Sequence, residues 1–220
     1  MKIPWLLLQL SDSGLPTGGF AHSGGLEVMA QMGELAGLEE LARFLRDALW
    51  QVGHFGLPLL AAAHDDPAQV PRLDARADAF LSNRVANRAS RTQGRAFLDT
   101  CTRIFPEHLS ALRASIRPDR LHCHHAPLFG AVLKSLAVDR LEAQQLFLSF
   151  ALRGLLFAGV RLGLIGTHQA QRMLYELGPA MDNVLETCAG LGEDSLAQTA
   201  PLADLFGSMH DRLYSRMFQS

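Results

Sequence analysis

Nine histidines, three cysteines and a glycine-dense loop are the residues of this chain best suited to chemistry. Gly14–Phe20 reads Gly-Leu-Pro-Thr-Gly-Gly-Phe, and bare backbone N–H groups in such a run can cradle an anion. A P-loop also needs Lys and Ser or Thr after its last glycine, at a helix start. Here Phe20 and Ala21 follow, and there is no G-x-G-x-x-G. The segment is read as a tight loop whose glycines let two helices approach. Ala21-His22-Ser23-Gly24-Gly25 approximates a nucleophile elbow, which requires a strand running straight into the serine. Leu15–Gly19 cannot form that strand, so Ser23 is expected to cap a helix and His22 to pack at a loop edge.

The best metal-ligand run is His122-Cys123-His124-His125. Imidazole and thiolate suit first-row transition metals. A closed structural site needs further ligands at a recognisable spacing, and none stands there. These four residues are weak metal candidates, and a polar loop entering a helix is the plainer reading. Arg84, Arg88, Arg91 and Arg95 recur at helical spacing, interleaved with Asn83, Asn87 and Ser90. Such a face is either solvated or a docking surface, since Arg favours bidentate contacts at interfaces. The tail His210–Ser220 mixes Arg212 and Arg216 with Tyr214, Met217 and Phe218. That mixture is typical of binding hot spots.

Helices must position all of these groups. Apolar residues recur at helical spacing over Leu38–Val52, Leu73–Phe105, His125–Ala137 and Arg140–Ile165. Further helices are expected near Gly24, over Thr167–Leu177 and from Pro179 to Ala189. Pro4–Ser11 is a short apolar element, Ser13–Gly25 a structured loop, and Asp65-Asp66-Pro67 and Arg117-Pro118-Asp119 are breaks. Gly190–Thr199 is small and polar, and is read as a flexible linker to a last amphipathic helix, Pro201–Phe218. The expectation is a single all-α domain of about eight to ten helices. Residues 1–189 form its body, and 190–220 its linker and flexible, partner-binding C-terminal helix.

With 48% hydrophobic and 19% charged residues, the chain can bury a core and is not a disordered scaffold. A net charge of -2 argues against nucleic acid as the main partner. Cys101, Cys123 and Cys188 lie far apart with no C-x-x-C, so reduced thiols of a cytoplasmic protein are expected. Leu146–Ile165 is long enough to span a bilayer, but Arg153 and Arg161 interrupt it. Each would cost roughly 2.5–3.5 kcal/mol near the centre of an inserted helix. A buried helix is expected, not a membrane span. Its arginines would pair with an acidic residue or with helix C-terminal carbonyls, or the helix, with Gly154, Gly159 and Gly163, would line a subunit interface or an inner channel.

Five segments, taken in order, resemble the UreF family of urease accessory proteins. Leu15–Glu27 resembles its N-terminal Leu-Pro…Leu-Glu signature, and Arg88–Arg95 its central helix. His125–Gly130 resembles its His-x-Pro-x-x-Gly helix entry, and Ala158–Arg172 its segment rich in Arg, Gly and Gln. His210–Ser220 resembles its ending, with Asp211 where the family favours Glu, Met217 where it favours Leu, and Gln219 where a basic residue is common. The resemblance implies a non-catalytic, all-α homodimer that bridges the accessory protein UreD/UreH and the GTPase UreG. Together they deliver nickel to apo-urease. Nickel is then cargo, GTP belongs to the partner, and this chain has no cofactor of its own. The partner-binding residues implied are Pro16, Gly18, Gly19, Phe20, His22, Ser23, Glu27, Arg88, Arg91, Arg95 and Arg172. In the tail they are His210, Arg212, Tyr214, Ser215, Arg216 and Phe218. The alternatives are a GTPase-activating regulator using an exposed arginine such as Arg88, Arg91 or Arg172, and a serine hydrolase using Ser23.

Overall fold

The helical periodicity of the body, from Leu38 to Ala189, is realised as helices. The computed structural model describes residues 5–220, and among these it has twelve α-helical segments and no strand. They are α1 (Trp5–Leu10), α2 (Leu26–Gln31), α3 (Leu38–Gln51), α4 (Leu57–Asp65), α5 (Val70–Phe80) and α6 (Arg84–Ile104). There follow α7 (Pro106–Ile116), α8 (His125–Ser135), α9 (Arg140–Arg161), α10 (Thr167–Glu176), α11 (Gly178–Cys188) and α12 (Pro201–Ser208). The chain is a single helical domain. The count exceeds the expected eight to ten because the Leu73–Phe105 pattern divides and a further helix follows it. Asn83 separates α5 from α6 and caps α6, accepting from the amides of Val85 at 3.0 Å and Ala86 at 3.3 Å. Pro106 opens α7 directly after α6.

Helix α3 also runs on further than its sequence pattern. A π-turn, Val52–Gly56, carries it into α4. Gly53, Gly56 and Pro58 hide that continuity in the sequence. Pro58 sits in the first turn of α4, where a missing N–H matters least.

Helix α8 is apolar all round, and Ala126–Leu133 are all buried. It lies between α4 and α6. Gly130 makes this possible, because a Cβ there would stand 2.1 Å from the Leu60 carbonyl oxygen of α4. Gly130→Ala must push the two backbones apart. We expect a loss of about 3 kcal/mol, the upper end for overpacking, read as a lower urea midpoint at unchanged slope.

Helix α9 is the only one among the described residues long and apolar enough to cross a bilayer by length and composition. In the fold it packs on α3, α4, α8 and α10. The two arginines in its apolar stretch are paired with carbonyl groups of distant loops: Arg153 donates to Ser11 O at 2.5 Å and Arg161 to Phe20 O at 2.6 Å.

The C-terminal region departs from expectation. The segment read as a flexible linker is pinned. Arg72 and Arg76 of α5 bind Glu193 and Asp194, and Gln51 Oε1 accepts from the amides of Thr199 and Ala200. The helix expected over Pro201–Phe218 stops at Ser208. After a 3₁₀ turn, His210–Arg212, the chain continues as an irregular strap to Ser220. The amides of Met217 and Phe218 are held by the carboxylate of Glu27, and no i−4 carbonyl receives them.

Candidate functional site

The two segments singled out in the sequence, Leu15–Glu27 and His210–Ser220, bind each other. Glu27 stands in the first turn of α2, with its side chain 2% exposed. Its carboxylate accepts from Met217 N at 2.6 Å, Phe218 N at 3.2 Å and His210 Nε2 at 3.0 Å. Ser23 donates its N–H at 2.6 Å and its hydroxyl at 3.2 Å to the carbonyl of Ser220. Ser23 therefore does not cap α2 as expected; Gly25 occupies that position, at φ 97, where α12 crosses too closely for a side chain. The Gln219 amide donates to Ala21 O, and His22 Nδ1 is hydrogen-bonded to the Ser220 hydroxyl. The Arg161 guanidinium lies 4.2 Å from the centre of the Phe218 ring, a cation–π contact. Arg88 of α6 grips Asp211 with two bonds of 3.0 and 2.7 Å.

Five of the implied partner residues thus face inward: His22, Ser23, Glu27, His210 and Phe218 are buried in the joint. With its hydroxyl buried and bonded to a carbonyl, Ser23 is no exposed nucleophile. Other residues remain on the surface. Tyr214 is fully exposed, Met217 and Phe20 are partly so, and Arg212, Ser215 and Arg216 face solvent. Pro16 is exposed while its carbonyl accepts from Thr100. Gly18 and Gly19 form the bend beneath Phe20, with Gly18 in the left-handed region at φ 76. Helix α12 adds exposed Leu202 and Leu205. Arg172 is not part of this surface; it sits on α10, paired with Glu176.

The His122–His125 run does not converge on one point. Cys123 takes φ 70, which turns its neighbours to different sides. Buried Asp74 fixes the loop by accepting three successive amides, those of His122, Cys123 and His124, at 2.7, 3.3 and 2.7 Å. His124 reaches Ser90 and Asp78, and His122 approaches Asp78 from outside. Hydrogen bonds from Asn87 and His124 hold the Asp78 carboxyl below its usual range. The Cys123 thiol lies beside Arg95, yet burial pushes its pKa up. Burial likewise pushes Cys101 up to about 12.

His125 enters an aromatic slot formed by Phe97, Phe129 and Phe147. It shares with His22 a half-open cleft of about 360 Å³, lined largely by apolar side chains such as Phe150 and Leu155. The Nε2 atoms of both rings have no hydrogen-bond partner among the described residues. Burial, reinforced at His22 by the charge of Arg88, lowers each imidazole to about 4, so both rings are neutral at pH 7.

Sequence reasoning missed Asp74 and Arg161 as positioning residues. A carboxylate in the first half of a helix gives no local sign of the loop it will hold. Arg161 did carry a signal, as a charge in the most apolar helix.

Comparison with known proteins agrees with the early resemblance. The UreF family model matches residues 35–178, the helical body between the two joined segments. The urease accessory protein F of Arabidopsis thaliana is 34% identical over 98% of this chain and 92% of its own length. That of Oryza sativa subsp. indica is 33% identical over 97% of this chain and 84% of its own. The urease accessory protein UreF of Trichodesmium erythraeum is 30% identical over 96% and 94%. An all-helical body matched by the family model, with relatives that extend the likeness through both joined segments, places this chain in the UreF family of urease accessory proteins.

Proposed function

We propose that this chain is a non-catalytic assembly subunit of urease maturation, joining UreD/UreH to the GTPase UreG while nickel is delivered to apo-urease. It acts as a cytoplasmic homodimer, with nickel as cargo and GTP held by the partner. The observation that carries the reading is the joint between Leu15–Glu27 and His210–Ser220. Its buried polar groups are used in building a surface, and that surface shows Phe20, Tyr214, Met217 and Arg216 to solvent. Aromatic, Met and Arg side chains on a rigid support are the usual anchors of a protein interface. The free thiols are all buried, as suits a reducing compartment.

Deleting residues 211–220 would remove this surface, but would also expose the groups beneath it. A cleaner test is Tyr214→Ala combined with Arg216→Ala, which leaves Glu27, Ser23 and Phe218 in place. Recovery of UreD/UreH on co-purification is expected to fall about tenfold or more, the loss of roughly two hot-spot side chains. The melting temperature should not change. Undiminished capture of UreD/UreH would overturn the assignment of this surface.

A further inference from the structure

We infer that the arginine face of α6 docks an acidic helix of a protein partner, reading carboxylates spaced three and four residues apart. This rests on the reading of the chain as an assembly subunit, and it supplies the chemistry of one contact. Arg84, Arg88, Arg91 and Arg95 follow one another at intervals of four, three and four residues on one side of the helix. At 1.5 Å per residue they span about 16 Å along the axis, roughly three helical turns of a partner. They border an open groove of about 890 Å³ together with Thr92 and Ala96, whose small side chains leave room for a second helix.

Charge selects the occupant. Arg84, Arg91 and Arg95 have no carboxylate within 4.0 Å among the described residues. The acids bordering the groove are already engaged: Asp99 with Arg113, and Asp78 with Asn87 and His124. Arg91 directs its Nε–H to the His122 carbonyl at 3.2 Å, which fixes the side chain and leaves its terminal N–H groups free of any carboxylate. Arg88 shows how the ladder is filled. Asp211 of the strap meets it with both oxygens, so the chain's own tail supplies one carboxylate of the kind the other three rungs lack. Forked guanidinium–carboxylate pairing selects for planar acids at fixed spacing. A diffuse polyanion would need no such register. With a net charge of -2 on the whole chain, long-range attraction to nucleic acid is weak, and a local pattern must do the selecting.

The test uses the intact chain and two alanine-based helical peptides of identical composition. One carries glutamates at three- and four-residue spacing along one face; the other spreads them around the helix. Binding is read by fluorescence anisotropy near physiological ionic strength, with a DNA duplex as third probe. The register-matched peptide is expected to bind about tenfold tighter than the scattered one, as complementary close pairs require. Arg84→Glu with Arg91→Glu should abolish that preference. Arg84→Gln with Arg91→Gln, a milder change, should weaken it, so a failure of the first variant to fold leaves the question open to the second. Equal binding of both peptides, no binding of either, or tighter binding of the duplex overturns the inference. If that happens while co-purification with UreD/UreH still depends on Tyr214 and Arg216, the proposed function stands and only the arginine face loses its role.

Discussion

Replacing Glu27 by alanine is expected to destabilise the protein by about 3–5 kcal/mol, the range for removing one partner from a buried, hydrogen-bonded charged group. The carboxylate is almost wholly excluded from solvent and receives three donors from the strap. Alanine leaves the Met217 and Phe218 amides and the His210 ring without an acceptor. Each buried, unpaired donor costs about 1–3 kcal/mol, and water entering the gap recovers part of the sum. Glu27→Gln keeps one acceptor oxygen but turns an N–H₂ toward a donor, so its cost should fall between that of alanine and wild type. Urea unfolding followed by far-UV circular dichroism measures both. A loss under about 1 kcal/mol for Glu27→Ala would mean that the strap is not anchored through this carboxylate. The same variant should release the last residues to proteases before the helical body unfolds, because local opening follows the weakest cooperative unit.

The body of the fold was legible because its signals are local. Leu41, Leu45 and Leu49 at helical spacing are enough to place α3 and the face it buries. The strap was not legible, for a physical reason. Leu202, Leu205, Phe206, Met209, Leu213 and Met217 have helical spacing, and the pattern predicts one helix through them. Past Ser208 the chain is held by a carboxylate far earlier in the sequence, Glu27, which takes the His210 ring and the Met217 and Phe218 amides and outweighs a weak local preference. The metal-like run shows the same division. The identities of His122–His125 are visible in sequence, but their directions follow from Asp74 and from a positive φ at Cys123. The arginine stripe was fully legible as a pattern. Which rung is occupied from within became clear only when Asp211 was found on Arg88. Leu15–Glu27 and His210–Ser220 were each recognised alone, and neither contains any sign that the other is its binding partner.

Mild acid should weaken this protein well before its carboxylates titrate. The unfolded imidazoles of His22 and His125 take up protons near their ordinary value of about 6.5. In the folded chain burial holds both at about 4. Below pH 6.5 the unfolded state therefore binds more protons, so stability falls with pH and the loss is complete below about 4. At pH 5 each group accounts for roughly 2 kcal/mol, together about 4 kcal/mol relative to pH 7.5, a large part of a typical domain's stability. Burial also lowers His124, which acts in the same sense. Asp78 and Asp211 are held below their usual range by their partners, so their contribution is lost only at lower pH. The window from 6.5 to 5 thus belongs to the imidazoles. Urea midpoints at pH 7.5, 6 and 5 should trace the decline. His125→Phe, placed among Phe97, Phe129 and Phe147, should remove about 2 kcal/mol of the difference between pH 7.5 and 5. A decline as steep as wild type's in that variant would show that His125 is not among the groups responsible. His22 gives the effect a location. Its ring is bonded to Ser220 and feels the charge of Arg88, which grips Asp211. A proton gained there sets two cations against each other beneath the strap, so acid should open the joint between Leu15–Glu27 and His210–Ser220 before it melts the helices that support it.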